Sequence, residues 1–273
     1  MSPSIRSFQN FKAQVWDYYR AQKRSLIWRD TIKQYWVVVS EIMLQQTQVS
    51  RVVVKFPQFI DAFPDFRSLA SAPLEKVLRA WQGMGYNRRG KYLREIAKLI
   101  IEKYNGIIPK DSVILETFPG IGPATARSIV VYSYNVPEPF IETNVRRVYI
   151  HHFFNDSREV SDKDILPIVA DTIDREHPRE WFYALMDYGT HLGRSIPNPN
   201  RKSKHYSKQS KFEGSNRQIR GAVLRSLLME GPTEKSKLES TLGFEQSRLY
   251  NVLNQLTSEG IVAEENGKYK VTS

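Results

Sequence analysis

The chain has 273 residues, 41% hydrophobic and 25% charged, which is long enough for one large domain or two smaller ones with a real core. It contains no cysteine, which excludes disulfides, thiolate metal sites and a cysteine-held iron–sulfur cluster. Its 40 Lys and Arg against 29 Asp and Glu give a net charge of +11 and a pI near 9.7, an excess that points to a polyanionic partner, nucleic acid first. No apolar run approaches the roughly 20 residues that span a membrane. The N-terminal MSPSIRSFQNF lacks an apolar signal core, so a cytoplasmic, nucleoid-associated location is expected.

Helical periodicity dominates to about residue 195. Val49, Val52, Val53, Phe56 and Ile60 mark one helical face, with Thr47 placed as its N-cap. SAPLEKVLRAW opens with Ser71 and Pro73, a helix start. DSVILETF and PATARSIVVYSY read as two helices around the turn Pro119, Gly120, Ile121, Gly122. SDKDILPIVADTI begins another, capped by Ser161 with Asp162 and Asp164 in its first turn. Residues 196–215, polar, proline-bearing and lysine-rich, read as a basic linker or arm. Residues 216–273 regain order as three helices, the second capped at Thr233. A pair of short alternating runs around Asn266-Gly267 follows, the sequence signal of a hairpin. Three helices and a hairpin make a winged-helix pattern.

Chemistry concentrates in four motifs. The glycines of FPGIG leave backbone N–H groups at a helix start, where the helix dipole adds to the attraction for phosphate. Such a turn grips a nucleic-acid backbone without reading its sequence. SEIMLQQTQVS sets one carboxylate, Glu41, behind the apolar run YWVVV, and PFIETNVRRV supplies a second, Glu142. The fourth motif is WQGMGYNRRG. Taken in order and at these separations, the four resemble the helix-hairpin-helix DNA glycosylases of the endonuclease III superfamily, most closely the MutY-like adenine DNA glycosylases, over residues 8 to 190.

The resemblance implies an all-α, two-lobed glycosylase domain over residues 1–195. Its six-helix barrel lobe would span about 30–135, and its second lobe the N-terminal helix and about 136–195. The winged-helix-like module follows. It also implies that Glu41 protonates the departing base, that Glu142 stabilises the cationic sugar and that Asn144 hydrogen-bonds within the active site. Burial in an apolar pocket would let Glu41 hold a proton near neutrality. Gln45, Gln46 and Thr47, with Met84 and Tyr86, match positions that fill the stack around the extruded base or touch its partner. Arg29 matches a pocket-lining arginine, Asp187 reads as structural, and Pro119 to Gly122, Thr125, Arg146 and Arg147 fall at the DNA.

Four departures qualify the resemblance. Glu142 stands where the family has aspartate. Ala124 stands where strand-cutting relatives carry a lysine nucleophile, so no Schiff base can form there and a monofunctional enzyme is expected. The cluster cysteines are missing, and Arg201, Lys202, Lys204, Lys208 and Lys211 of the arm are candidates for DNA-backbone contacts instead. The winged-helix-like module replaces a Nudix-like domain, with Arg248, Asn251 and Gln255 on the polar side of its third helix. No metal or other cofactor is expected, although the hairpin is compatible with a monovalent cation. The expected partner is double-stranded DNA carrying a mismatched or damaged pair, bound by a monomer. The expected reaction is removal of adenine opposite guanine or 8-oxoguanine. Two readings stand beside it: removal of thymine or uracil from G mismatches, and a catalytically inactive DNA-binding protein.

Overall fold

The computed structural model describes residues 5–272, which fall into two compact units. One comprises the chain up to Val37, Pro109–Thr117 and Ile121–Lys208; the other comprises Val38–Ile108, Phe118–Gly120 and the chain from Gln209 onward.

Fourteen α-helices and three short strands are described. They are α1 Ile5–Gln22, α2 Gln34–Leu44, α3 Val49–Ala62, α4 Phe66–Ser71, α5 Leu74–Ala80, α6 Arg88–Tyr104, α7 Ser112–Glu116, α8 Pro123–Tyr134, α9 Thr143–Phe153, α10 Asp162–Thr172, α11 Pro178–Ser195, α12 Asn216–Glu230, β1 Thr233–Glu234, α13 Lys235–Leu242, α14 Gln246–Ser258, β2 Val262–Glu265 and β3 Lys268–Val271. The helical body ends at Ser195, where the sequence pattern places its end. None of the described helices is long and apolar enough to cross a membrane.

The first unit is built on aromatic residues. Phe11 and Val15 of α1 pack with Tyr149 of α9 and Trp181 of α11, and Phe140 stacks on Phe182 with centroids 4.0 Å apart. Of the expected barrel lobe over about 30–135, residues 30–37, 109–117 and 121–135 lie outside the second unit. They belong instead to this unit, where Val37 of α2 and Val131 and Tyr132 of α8 join the core and Tyr132 stacks on Tyr183 at 4.6 Å. Gly189 and Gly193, one turn apart on α11, receive α9. A Cβ at Gly189 would lie 2.6 Å from the Asn144 carbonyl oxygen, and one at Gly193 would lie 2.7 Å from the Arg147 guanidinium.

In the second unit, Leu74 and Leu78 of α5 share a core with Ile219, Val223, Leu249 and Val262 of the C-terminal segment. Its three strands pair antiparallel in the order β1-β3-β2. Asn266 (φ +50°) and Gly267 (φ +75°) turn β2 into β3, as their dipeptide signals. Two expected caps and one helix start differ in detail. Thr233 lies in β1, paired with Tyr269, and α13 starts after Glu234. Thr47 does not cap α3, whose N-cap is Gln48, because its hydroxyl is engaged elsewhere. Ser71 closes α4, and α5 starts after Pro73. Ser161 does cap α10 as expected, and the structure adds a capping box with Asp164.

Two glycine substitutions should act in opposite directions in urea denaturation. Gly189→Ala should cost about 1–3 kcal/mol, because its methyl meets backbone that cannot yield. Gly221→Ala, inside α12 with open space around it, should stabilise by roughly 0.5–1 kcal/mol.

Candidate functional site

In the second unit, Glu41 lies near the C-terminal end of α2, half-buried, preceded by buried Val38, Val39 and Ser40 and followed by buried Ile42 and Met43. The helix then breaks. Gln46 takes a left-handed φ of +51° and is exposed, and Gln45 donates its amide N–H to the Gly120 carbonyl at 3.2 Å. Gly120 itself has φ +74°, and a Cβ there would lie 2.5 Å from the Tyr92 ring, so only glycine fits this turn.

Sequence reasoning missed the group that organises these residues. Arg89 is buried, and its guanidinium donates to the carbonyls of Ile42 (2.9 Å), Met43 (3.0 Å) and Gln45. It also donates to the Thr47 hydroxyl (2.9 Å) and to the carbonyls of Met84 and Gly85 (both 3.2 Å). It thus ties the end of α2 to the loop of residues 83–87. Burial lowers its pKa to about 10, still cationic at neutral pH. The available signal was the run Asn87-Arg88-Arg89-Gly90, in which Gly90 lets the helix sit against Trp81, with a Cβ there only 3.0 Å from the indole.

In that loop the two expected DNA contacts diverge. Met84 is 1% exposed and serves the core, so its side chain is not offered at the surface. Tyr86 is exposed, in a left-handed conformation with φ +47°.

In the first unit, Glu142 is the N-cap of α9. Its carboxylate accepts the backbone N–H groups of Asn144 and Val145, the latter at 2.8 Å. The longer side chain therefore still serves the helix terminus, as an aspartate cap would. Burial pushes this carboxyl above the usual range, against the lowering effect of those two amides and of Arg146 and Arg147. The Asn144 side-chain amide lies 3.4 Å from the second carboxylate oxygen, and its carbonyl oxygen accepts from Arg147 at 2.8 Å. Ala124 is the second residue of α8, following Gly122 as N-cap and Pro123.

Three arginines expected at DNA or substrate are committed internally. Arg146 makes a two-pronged pair with Asp162, both bonds 2.7 Å. Arg147 donates to the Gly189 carbonyl at 2.7 Å and to Asn198 at 3.3 Å. Arg29 is buried against Asp187 at 2.9 Å and lies over the Tyr183 ring. Asp187, fully enclosed, also accepts the backbone N–H and Nε of Arg24.

The segment after α11 does not fit an iron–sulfur cluster, since the chain offers no thiolate, and no group of three or more metal-ligating side chains occurs among the described residues. Hydrogen bonds hold it instead. Asn200 donates to the Thr143 carbonyl at 2.9 Å, and Val160 exchanges backbone bonds with Lys202 and Lys204 on either side of Ser203. Lys202 donates to the Asn155 carbonyl and Lys204 pairs with Glu159, while Arg201, Lys208 and Lys211 are exposed. Arg89→Met should destabilise the protein by about 2–4 kcal/mol in chemical denaturation, because it strands several carbonyls in the interior. Arg201→Met should change stability by less than about 0.5 kcal/mol.

Comparisons with known proteins show what the chain is similar to. A family model described as HhH-GPD superfamily base excision DNA repair protein matches residues 39–166. A second, described as sugar-specific transcriptional regulator TrmB, matches residues 222–273. An adenine DNA glycosylase of Mycobacterium tuberculosis is 30% identical over 272 residues, covering 90% of this chain and 88% of that protein. One from Mycolicibacterium smegmatis is 42% identical over 132 residues, 48% of this chain and 45% of its own length. Among solved structures, a thermostable thymine-DNA glycosylase shares the fold with a TM-score of 0.64 at 18% identity, over 72% of this chain and 92% of that chain. A non-covalent endonuclease III–DNA complex does so at 0.61 and 16%, over 72% of this chain and 91% of that one. This kinship, with a relative 30% identical across nearly the whole chain, makes the chain a DNA glycosylase, a member of the HhH-GPD superfamily of base excision DNA repair proteins in its adenine DNA glycosylase family.

Proposed function

We propose that the enzyme is a monofunctional glycosylase that binds duplex DNA and removes adenine mispaired with guanine or 8-oxoguanine. The observation that carries this reading is Glu41 in its apolar helix, within a chain that aligns over 90% of its length with an adenine DNA glycosylase. A purine leaves poorly unless protonated. Glu41 gives its proton to the extruded adenine as the glycosidic C–N bond breaks and the bonding pair goes to the base. Positive charge then develops on the sugar, and the ionised Glu142 carboxylate, held by two α9 amides, stabilises it. Water adds to the sugar carbon and loses a proton, leaving free adenine and an abasic site. Ala124 offers no amine, so the strand stays intact. Gly122, exposed at the N-cap of α8, leaves the first backbone amides of that helix open to a phosphate.

The test uses labelled duplexes carrying A:G, A:8-oxoguanine, T:G and U:G pairs, developed with and without alkali. Adenine-specific product that appears only after alkali is expected. Cutting without alkali would overturn the monofunctional assignment, and equal excision of T:G would overturn adenine specificity. Glu41→Gln should slow excision by about 10²–10⁴-fold and Glu142→Gln by roughly 10²–10³-fold. Because Glu142 must be ionised to act and burial raises its pKa, the single-turnover rate should fall with acidification through a pH above the ordinary glutamate value. A limb at or below that value would contradict the effect of burial on this carboxyl, and a rate unaffected by Glu142→Gln would contradict its role.

A further inference from the structure

Tyr86 is more heavily constrained than a surface tyrosine needs to be. Its left-handed backbone, φ +47°, is one that an aromatic residue adopts only when its surroundings enforce it. Arg89 supplies one constraint, donating its backbone N–H to the Tyr86 carbonyl at 2.8 Å and setting its guanidinium carbon 5.4 Å from the ring centroid. The other constraint comes from the C-terminal segment of the same unit. Gln209 donates to the phenol oxygen, and Arg217 Nη1 does so at 3.2 Å while its guanidinium carbon lies 5.9 Å from the ring centroid.

Arg217 is itself held in place. Its Nη2 donates to the Ser210 carbonyl (2.6 Å), the Ser210 hydroxyl (3.2 Å) and the Lys211 carbonyl (3.3 Å). Arg248 of α14 fixes the turn just before it, donating to the Gly214 carbonyl at 2.7 Å and to Asn216 at 3.0 Å. The module also anchors to α6 through Glu259, which pairs with Arg88 and Arg220. Arg217 is the second residue of α12, whose first turn holds no acid, so its charge opposes the helix dipole. A generic phosphate grip does not explain it, because residues 209–273 carry nine Lys and Arg against eight Asp and Glu.

We propose that the winged-helix-like module sets Tyr86 for duplex binding, with Gln209 and Arg217 as positioning residues that hold the phenol and its loop in the DNA-binding conformation before DNA arrives. This rests on the reading of Tyr86 as a DNA contact. The module thereby acts at the glycosylase core by preorganising a side chain.

Two measurements on the full-length protein test it. The first is hydrogen exchange over residues 83–89 without DNA, in the wild type, Arg217→Ala, Arg217→Lys and Gln209→Ala. Exchange should rise in both alanine variants and be partly restored by lysine. Unchanged exchange overturns the proposal whatever the enzyme's activity. The second is affinity for an A:G duplex by fluorescence anisotropy. Arg217→Ala and Tyr86→Phe should each weaken binding about 3- to 10-fold, with no further loss when combined. Tighter binding by Arg217→Ala, or additive losses, overturns it. Faster exchange with unchanged affinity in both variants overturns the DNA-contact reading beneath it. Failure of every variant and the wild type to excise any base would refute the glycosylase assignment alone, since neither measurement depends on turnover.

Discussion

A buried guanidinium with six oxygen partners and no carboxylate among them holds the second unit's working surface together. Arg89 is neutralised by dipoles: the last carbonyls of α2, those of Met84 and Gly85, and one hydroxyl. The C-terminal end of a helix carries partial negative charge, so a cation there answers the orphan carbonyls and the macrodipole together. A carboxylate in the same place would satisfy the charge but leave those carbonyls bare. Because one rigid fork reaches both segments, the ends of α2 and of the loop of residues 83–87 cannot drift independently. Glu41 and Tyr86 inherit that rigidity.

The first unit solves the same problem with the sign reversed. Asp187 is an enclosed anion that gathers Arg24 and Arg29, and Glu142 is a second anion placed on backbone amides. Breaking an enclosed pair of this kind by removing one partner is far more damaging than never having built it. The segment after α11 uses no charge chemistry of comparable strength. Asn198, Asn200 and a short parallel bridge hold it by ordinary hydrogen bonds, which suits a chain without thiolates.

Much of this was legible in the sequence. Helical periodicity, the Asn266-Gly267 turn and the Ser161 cap depend on neighbours a few residues apart, and such patterns survive in one dimension. What escaped depends on distant partners. Arg146 reads as a phosphate ligand until Asp162 is seen beside it, and Arg29 reads as a pocket residue until Asp187 is. Thr47 and Thr233 have the right chemistry to cap a helix, but an arginine 42 residues away claims the first and a strand claims the second. Met84 and Tyr86, two residues apart, were assigned similar work, and only the fold shows that one faces inward. Arg89 lacked any pattern that marks a hub, because its acceptors are mostly backbone oxygens that every residue possesses.

Leu74 and Leu78 carry a consequence for how the protein comes apart. They lie under the C-terminal helices in a core shared with the rest of their unit, so the module is no tethered passenger. Cleavage of the exposed stretch at residues 205–214 would divide the polypeptide without dividing that core. The two pieces would remain one particle in buffer and separate only in denaturant. For the same reason, α5 and the module are bound to change together over evolutionary time: a lineage that exchanged the C-terminal segment would also have to repaint the face of α5 that it covers.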